Sequence, residues 1–336
     1  MRAFPLRVSV DGFVASPGFG GFISYIGGLC CALAAREDVR LDIFLPADQE
    51  VPEFLDLPAS ARLHRVALPT VLGTRPGITW SDCVLPALLD EVGPDVHLGP
   101  SFMLPPGHRL PQAVTVHDDM FERFPQFYGP ETRTYLQEQT LRALSVADVV
   151  LAVSESTRRD VVDRWQPASP VEVTPLAPRL VGVPSHRRPR DAPELYLLNV
   201  GGSHRRKRLD DLIAAFTGAA VEARIPDAMH LVIIGAQGED HVEALRSASP
   251  LAERILLTER IPDAELPDWY QHCELFVYPS EYEGFGLGPL EAMASSAPVL
   301  TYRNSALAEV LGEAAAYAEP GIAGLDAGIK IGRAHV

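Results

Sequence analysis

Short β-branched and aliphatic runs alternate along the chain with amphipathic stretches, a rhythm that predicts parallel strands covered by helices on both faces. In the first half the strand runs are Leu6–Asp11, Val39–Leu45, Arg62–Leu68, Asp95–Leu98, Ala113–His117, Asp148–Val153 and Val171–Pro175. Helices are expected between them at Gly20–Arg36, Trp80–Val92, Glu131–Val146 and Glu155–Trp165. The last has Ser154 as its N-cap and Glu155 in the first turn, where the helix dipole favours an acid.

Between 178 and 193 the rhythm stops. Pro178, Pro184, Pro189 and Pro193 stand there among Arg187, Arg188 and Arg190 with no periodic apolar face, the composition of a linker. The rhythm then resumes with strands Leu195–Val200, His230–Ile234, Arg254–Leu257, Leu275–Tyr278 and Pro298–Tyr302. Helices are expected at Leu209–Ala220, His241–Ser247, Ala264–His272 and Pro289–Ser295. The pattern predicts an α/β protein of two doubly wound domains, 1–178 and 194–329, joined by a linker at 179–193. Such a pair places a ligand crevice between them, at the carboxyl ends of the strands.

A length of 336 residues accommodates two such domains, and 47% hydrophobic with 22% charged residues is ordinary for a globular chain. The net charge of −15 argues against general binding to nucleic acid and against a strong electrostatic membrane anchor, leaving room only for a weak peripheral contact. No apolar run is long enough to span a bilayer and no export signal opens the chain, so a cytoplasmic location is expected, with the inner membrane face as a place of action. Cys30, Cys31, Cys83 and Cys273 lack metal or disulfide spacing, and the first two read as small core residues of a helix.

The chemistry concentrates in two glycine-rich turns. Tyr278 ends a strand, then Pro279-Ser-Glu281-Tyr-Glu283-Gly-Phe-Gly286-Leu-Gly-Pro289-Leu-Glu291 leads into a helix whose first position suits Pro289. Glycines 284, 286 and 288 let backbone approach a ligand, and N–H groups at a helix start favour a phosphate. Glu283 and Glu291 offer carboxylates for sugar hydroxyls, the alternative being exposed acids on a tight turn. The second turn, Asn199-Val-Gly201-Gly202-Ser-His-Arg205-Arg206-Lys207-Arg208, opens the next helix with four basic residues, which oppose the dipole unless they bind an anion. A solvated basic turn paired with Asp210 and Asp211 is the other reading of these residues. In the first half, Gly20 and Gly21 follow the first strand, while His117 and Asp118 end a strand where site residues are usual. There is no Asp-x-Asp, His-Glu-x-x-His, Gly-x-Ser-x-Gly or Walker motif, so no metal ligand is named.

Taken together, Glu283-Gly-Phe-Gly-Leu-Gly-Pro-Leu-Glu291-Ala-Met and Val200-Gly201 with Arg206-Lys207 resemble the signatures of glycosyltransferase family 4, the retaining GT-B enzymes. Val114-Thr-Val-His117-Asp118 and Val153-Ser-Glu155-Ser156 resemble its N-domain segments, and Arg208 stands where one branch has asparagine. The resemblance implies two Rossmann-like domains facing a central cleft, the first for the acceptor and the second for a nucleotide-diphosphate sugar. It implies that Glu291 holds the ribose and that Glu283 sits by the donor sugar. Arg206, Lys207 and the N–H groups of Phe285, Gly286 and Leu287, beside Gly201, Gly202 and Gly284, would carry the diphosphate. His117 joins Glu283, Arg206 and Lys207 as a catalytic candidate, and Gly20, Gly21, His117 and Asp118 stand on the acceptor side. No metal or cofactor is implied; the donor is a nucleotide sugar and the acceptor a polysaccharide, lipopolysaccharide or glycolipid. A GT-B sugar-nucleotide 2-epimerase and a non-catalytic sugar-nucleotide-binding fragment share the same nucleotide signature. Family members continue past Glu319-Pro320 with further helices, and Ile331–Val336 resembles a translated sequencing adapter, so 330–336 reads as a non-native tail after a cut near Ile329.

Overall fold

The computed structural model describes residues 5–13, 20–49, 61–178 and 187–332. Residues 179–186 of the expected linker and 333–336 of the expected tail lie outside them. The chain divides into two compact units, 1–177 and 178–336.

In the first unit the elements run β1 (Leu6–Asp11), α1 (Gly20–Ala34), β2 (Val39–Pro46), β3 (Ala61–Val66), α2 (Pro76–Thr79), α3 (Leu85–Val92), β4 (Val96–Gly99) and β5 (Gln112–Val116). They continue as α4 (Met120–Arg123), α5 (Pro130–Val146), β6 (Val149–Ala152), α6 (Glu155–Trp165) and β7 (Val171–Val173). The described strands form one parallel sheet in the order β3-β2-β1-β4-β5-β6-β7. The order reverses between β1 and β4, the switch point where the carboxyl ends of such sheets open a crevice. Val8, Val10, Leu41 and Ile43 pack against Ile26 and Cys30 of α1, so Cys30 is a core residue, its thiol pushed up to about 12 by burial. Cys31 is half-buried. Ser154 caps α6 as its sequence predicts, its Oγ accepting the Thr157 N–H at 2.9 Å.

The helix expected from Trp80 instead begins at Pro76 and passes through a wide π turn, Trp80–Val84, before α3. Pro86 has no N–H to give to the fourth residue back, and the ladder steps to a five-residue spacing, with Leu85 N–H donating to Trp80 O. Trp80 is thereby buried with its indole N–H on Asp11 at 2.9 Å.

The second unit comprises β8 (Leu195–Val200), α7 (Leu209–Val221), β9 (Met229–Ile234), α8 (Asp240–Ala248), β10 (Ile255–Thr258), α9 (Leu266–His272) and β11 (Leu275–Tyr278). After these come α10 (Leu287–Ala294), β12 (Val299–Tyr302), α11 (Ser305–Leu311), β13 (Ala316–Ala318) and α12 (Ile322–Gly332). Its described strands are parallel in the order β10-β9-β8-β11-β12-β13, with the switch point between β8 and β11. Leu275–Tyr278 is buried throughout, as a central parallel strand covered on both faces must be. One face packs on α7, α8 and α12, the other on α9, α10 and α11. Leu325 and Ile329 place α12 in that core. Among the described residues no helix is long and apolar enough to cross a membrane.

Two buried histidines give the fold an acid liability. His97 bonds Ser9 Oγ through Nδ1 at 2.9 Å, while its Nε2 has no partner among the described residues. Burial holds His97 down at about 3 and His117 at about 4, against an ordinary 6.5. Unfolded histidines take up protons below about 6.5 whereas the native ones do not, so stability falls as pH drops from there toward 4. Asp11, raised to about 6 by burial, acts in the opposite sense between about 6 and 4, and the two histidines outweigh it. Chemical unfolding is expected to show a falling midpoint from pH 6.5 to 4.5, and His97→Gln should reduce that slope; an unchanged slope would refute the assignment.

Candidate active site

Both signature turns leave the carboxyl ends of the two strands that flank the second switch point. Gly201 and Gly202 follow β8 with φ of +135° and +76°, conformations open to glycine. Arg205–Lys207 then form a single 3₁₀ turn, and Arg208 lies in the left-handed region at φ +50° before α7 begins. The four basic residues therefore precede the helix and do not open it, because left-handed Arg208 separates them from its first turn. They also divide in role. Arg205 is exposed, and Arg208 lacks the capping bond of an asparagine but pairs with Asp210, Asp211 and Glu281. Arg206 and Lys207 turn toward Glu283 of the second loop, while Arg208 meets that loop at Glu281.

That loop runs from Tyr278 to Gly286. Gly286 has φ +99°, and a Cβ there would stand 2.6 Å from Leu307 Cδ2, so both backbone and space demand glycine. The helix begins at Leu287, which puts Pro289 at its third position, not its first. Proline fits there because first-turn N–H groups have no helical acceptor.

Glu283 is 7% exposed and Lys207 6%. Oε1 of Glu283 accepts from Lys207 Nζ at 2.7 Å, from the Tyr278 hydroxyl at 2.8 Å, and from Arg206 Nη1. Arg206 also donates to Ser280 Oγ at 3.0 Å and Tyr282 O at 3.1 Å. Burial would raise Glu283, but the adjacent Lys207 and Arg206 charges prevail and hold it at about 2. Burial lowers Lys207 to about 8 against the pull of Glu283. At neutral pH the Lys207 ammonium and the Arg206 guanidinium thus meet on one carboxylate oxygen of Glu283.

A third segment, whose part in the site the sequence reading does not include, fixes this loop from behind. Thr301 Oγ1 donates to Tyr278 O at 2.7 Å, Asn304 Nδ2 to Ser280 O at 3.0 Å, and the Glu283 N–H donates to Ser305 Oγ at 3.0 Å. Its only sequence signal is a polar cluster after an apolar strand, which most loops share. Glu291 lies one turn into α10, on the face of Leu287, half-buried and near enough to Tyr270 to add to the upward shift that burial imposes on that phenol. The structure thus brings Gly201, Arg206, Lys207 and Glu283 together, with Gly202 in the same turn and Gly284, Phe285, Gly286 and Leu287 leading to Glu291.

In the first unit His117 follows β5. Its Nε2 lies 2.8 Å from Pro100 O, and a carbonyl can only accept, so Nε2 carries the proton and Nδ1 is left as an acceptor. Phe22 and Tyr25 of α1 contact the ring edge-on, at 4.6 and 4.8 Å between centroids. Asp118 Oδ1 accepts the Met120 N–H at 2.9 Å, steering the chain into α4. Gly20 begins α1, and a Cβ added at Gly21 would meet no protein atom within 4 Å.

Comparison with known proteins agrees with both halves. Residues 19–177 match the family model described as Glycosyltransferase Family 4, and 194–327 match the model described as Glycosyl transferases group 1. The O-antigen chain mannosyltransferase B of Escherichia coli is 31% identical over 237 residues, which are 67% of this chain and 61% of that protein. The aligned part of this chain therefore spans about three fifths of that relative's length. Among solved structures, sucrose-phosphate synthase from Thermosynechococcus elongatus superposes with a TM-score of 0.76 at 21% identity, covering 97% of this chain and 89% of that one. WaaG, a glycosyltransferase involved in lipopolysaccharide biosynthesis, superposes with a TM-score of 0.70 at 16% identity, covering 98% and 90%. The chain belongs to the group 1, family 4 glycosyltransferases and has their GT-B fold.

Proposed function

We propose that this protein is a retaining, metal-independent glycosyltransferase that moves a hexose, mannose foremost, from a nucleotide-diphosphate sugar to a cell-envelope glycan or glycolipid. The observation that carries the reading is the meeting of buried Lys207 and half-buried Arg206 on one oxygen of Glu283, with the Lys207 ammonium beneath the Gly201 turn. As a glycosidic bond to a diphosphate loosens, negative charge grows on the leaving group, and fixed cations with helix N–H groups stabilise it there. These groups do the work that a divalent ion performs elsewhere. The departing phosphate then takes the acceptor's proton on the same face of the sugar, which retains the anomeric configuration. Glu291 receives the ribose hydroxyls, and neutral His117 offers Nδ1 to a sugar hydroxyl. Mannose and the envelope acceptor are favoured by the similarity to the E. coli mannosyltransferase.

The test is a binding and turnover screen of GDP-, UDP- and dTDP-sugars in excess EDTA. One of them is expected to bind and to hydrolyse slowly without acceptor, and Glu291→Ala should lose that binding by about 10-fold or more. A folded chain that binds none of them, or binds only when a divalent ion is restored, would overturn the corresponding part of the proposal.

A further inference from the structure

Beneath Arg206, Lys207 and Glu283 lies a buried group to which the reading so far gives no part. Tyr278 ends β11 and is 4% exposed. Its hydroxyl donates to Glu283 Oε1 at 2.8 Å, and Lys207 Nζ donates to the phenol oxygen. The same ammonium lies 4.3 Å over the ring centroid. The ring edge faces both glycine turns: a Cβ at Gly201 would stand 3.5 Å from Tyr278 Cε2, and one at Gly288 3.6 Å. One side chain therefore touches the two signature turns and both charged residues between them. Burial, and then the Glu283 charge, push the phenol well above its ordinary pKa, so it remains a donor.

The choice of cation matters as well. The chain contains two lysines, Lys207 and Lys330, against 27 arginines. An ammonium is a compact charge with three donors, suited to one carboxylate oxygen, one phenol oxygen and a ring face. With two N–H groups given to Glu283 and Tyr278, the third has no protein acceptor among the described residues, and Nζ lies 3.6 Å from where a Gly201 Cβ would stand.

We propose that Tyr278 is a positioning residue of the donor site: it holds the Lys207 ammonium and the Glu283 carboxylate in register with the Gly201 turn and with Gly288 at the start of α10, so that the free N–H of Lys207 meets the donor diphosphate. The role rests on the donor-site reading above. Tyr278 does not itself touch the donor; it acts through Lys207.

The experiment uses Tyr278→Phe, which keeps the ring and removes the hydroxyl. The full chain labelled with ¹³C at lysine Cε gives two signals, and the Lys330→Arg variant assigns them. Without its phenol acceptor, the buried Lys207 ammonium is expected to titrate about half a unit or more below wild type. Binding of the preferred nucleoside diphosphate should weaken about 5- to 20-fold, while the matching monophosphate and nucleoside bind as in wild type. A merely structural tyrosine would weaken all three ligands alike and leave the lysine titration in place. In the Lys207→Met background, Tyr278→Phe should produce no further loss of diphosphate affinity, since its effect runs through that lysine. If wild type binds and Tyr278→Phe matches it in titration and affinity, the role of Tyr278 is overturned alone. If wild type binds no nucleotide, the donor-site reading falls and this role falls with it.

Discussion

Glu283→Ala is expected to destabilise the second unit by about 3–5 kcal/mol and, unlike the wild type, to be strongly stabilised by free pyrophosphate. Truncating one member of a buried ion pair leaves its partner charged and unpaired in a place water does not reach, and that loss has about this size. Here that partner is buried Lys207. Lys207 keeps only the phenol of Tyr278, while Arg206 keeps Ser280 Oγ and Tyr282 O. The vacancy is lined by cations, so an anion that enters it restores much of what the carboxylate supplied. In the wild type Glu283 already neutralises part of that charge, and pyrophosphate gains less. Chemical unfolding with and without saturating pyrophosphate measures both effects. A variant that pyrophosphate does not stabilise would show that the cations are not arranged around an anion site. A variant as stable as wild type would show that the carboxylate is not their structural partner.

The alternation of strands and helices and the two glycine turns were legible because each depends on local signals. Apolar runs such as Leu275–Tyr278 mark buried parallel strands, and glycines 201 and 286 stand where the backbone takes positive φ. What was not legible depends on contacts between distant segments. Nothing in the order of residues says that Glu283 closes on cations 76 and 77 positions earlier, or that Tyr278 serves as their common support. Arg208 had been read with the basic cluster; its left-handed backbone and its three carboxylate partners appear only in three dimensions. The π turn has a visible cause in Pro86, but the sequence does not say whether a helix will break or widen there. Beyond Tyr302 the signals are weak: α11 is seven residues rich in alanine and β13 is three residues long. Asn304, just before α11, and Ser305, its first residue, nevertheless fix the loop that carries Glu283.

Lys207→Met should leave the fold standing and remove most of the transferase activity, a contrast with Glu283→Ala that follows from which charge is left behind. Without Lys207 the carboxylate still has Arg206 and the Tyr278 hydroxyl, and the methionine chain occupies the apolar path of the lysine stem. Unfolding should therefore change by no more than about 1 kcal/mol. The departing diphosphate, however, loses one of two fixed cations, and removal of one preorganised donor to developing charge lowers kcat by about 10²- to 10³-fold. The pH dependence separates this role from a packing defect. Lys207 is held at about 8, so in the free enzyme the ammonium is lost as pH rises through that value and kcat/KM for the donor falls with it. Bound diphosphate favours the charged form, which moves the alkaline limb of kcat to higher pH than that of kcat/KM. Lys207→Arg keeps its charge throughout this range, so its weaker activity should show no alkaline fall near 8. An arginine variant with the wild-type alkaline limb would assign that titration to another group, and a methionine variant with undiminished kcat/KM would remove Lys207 from the donor site.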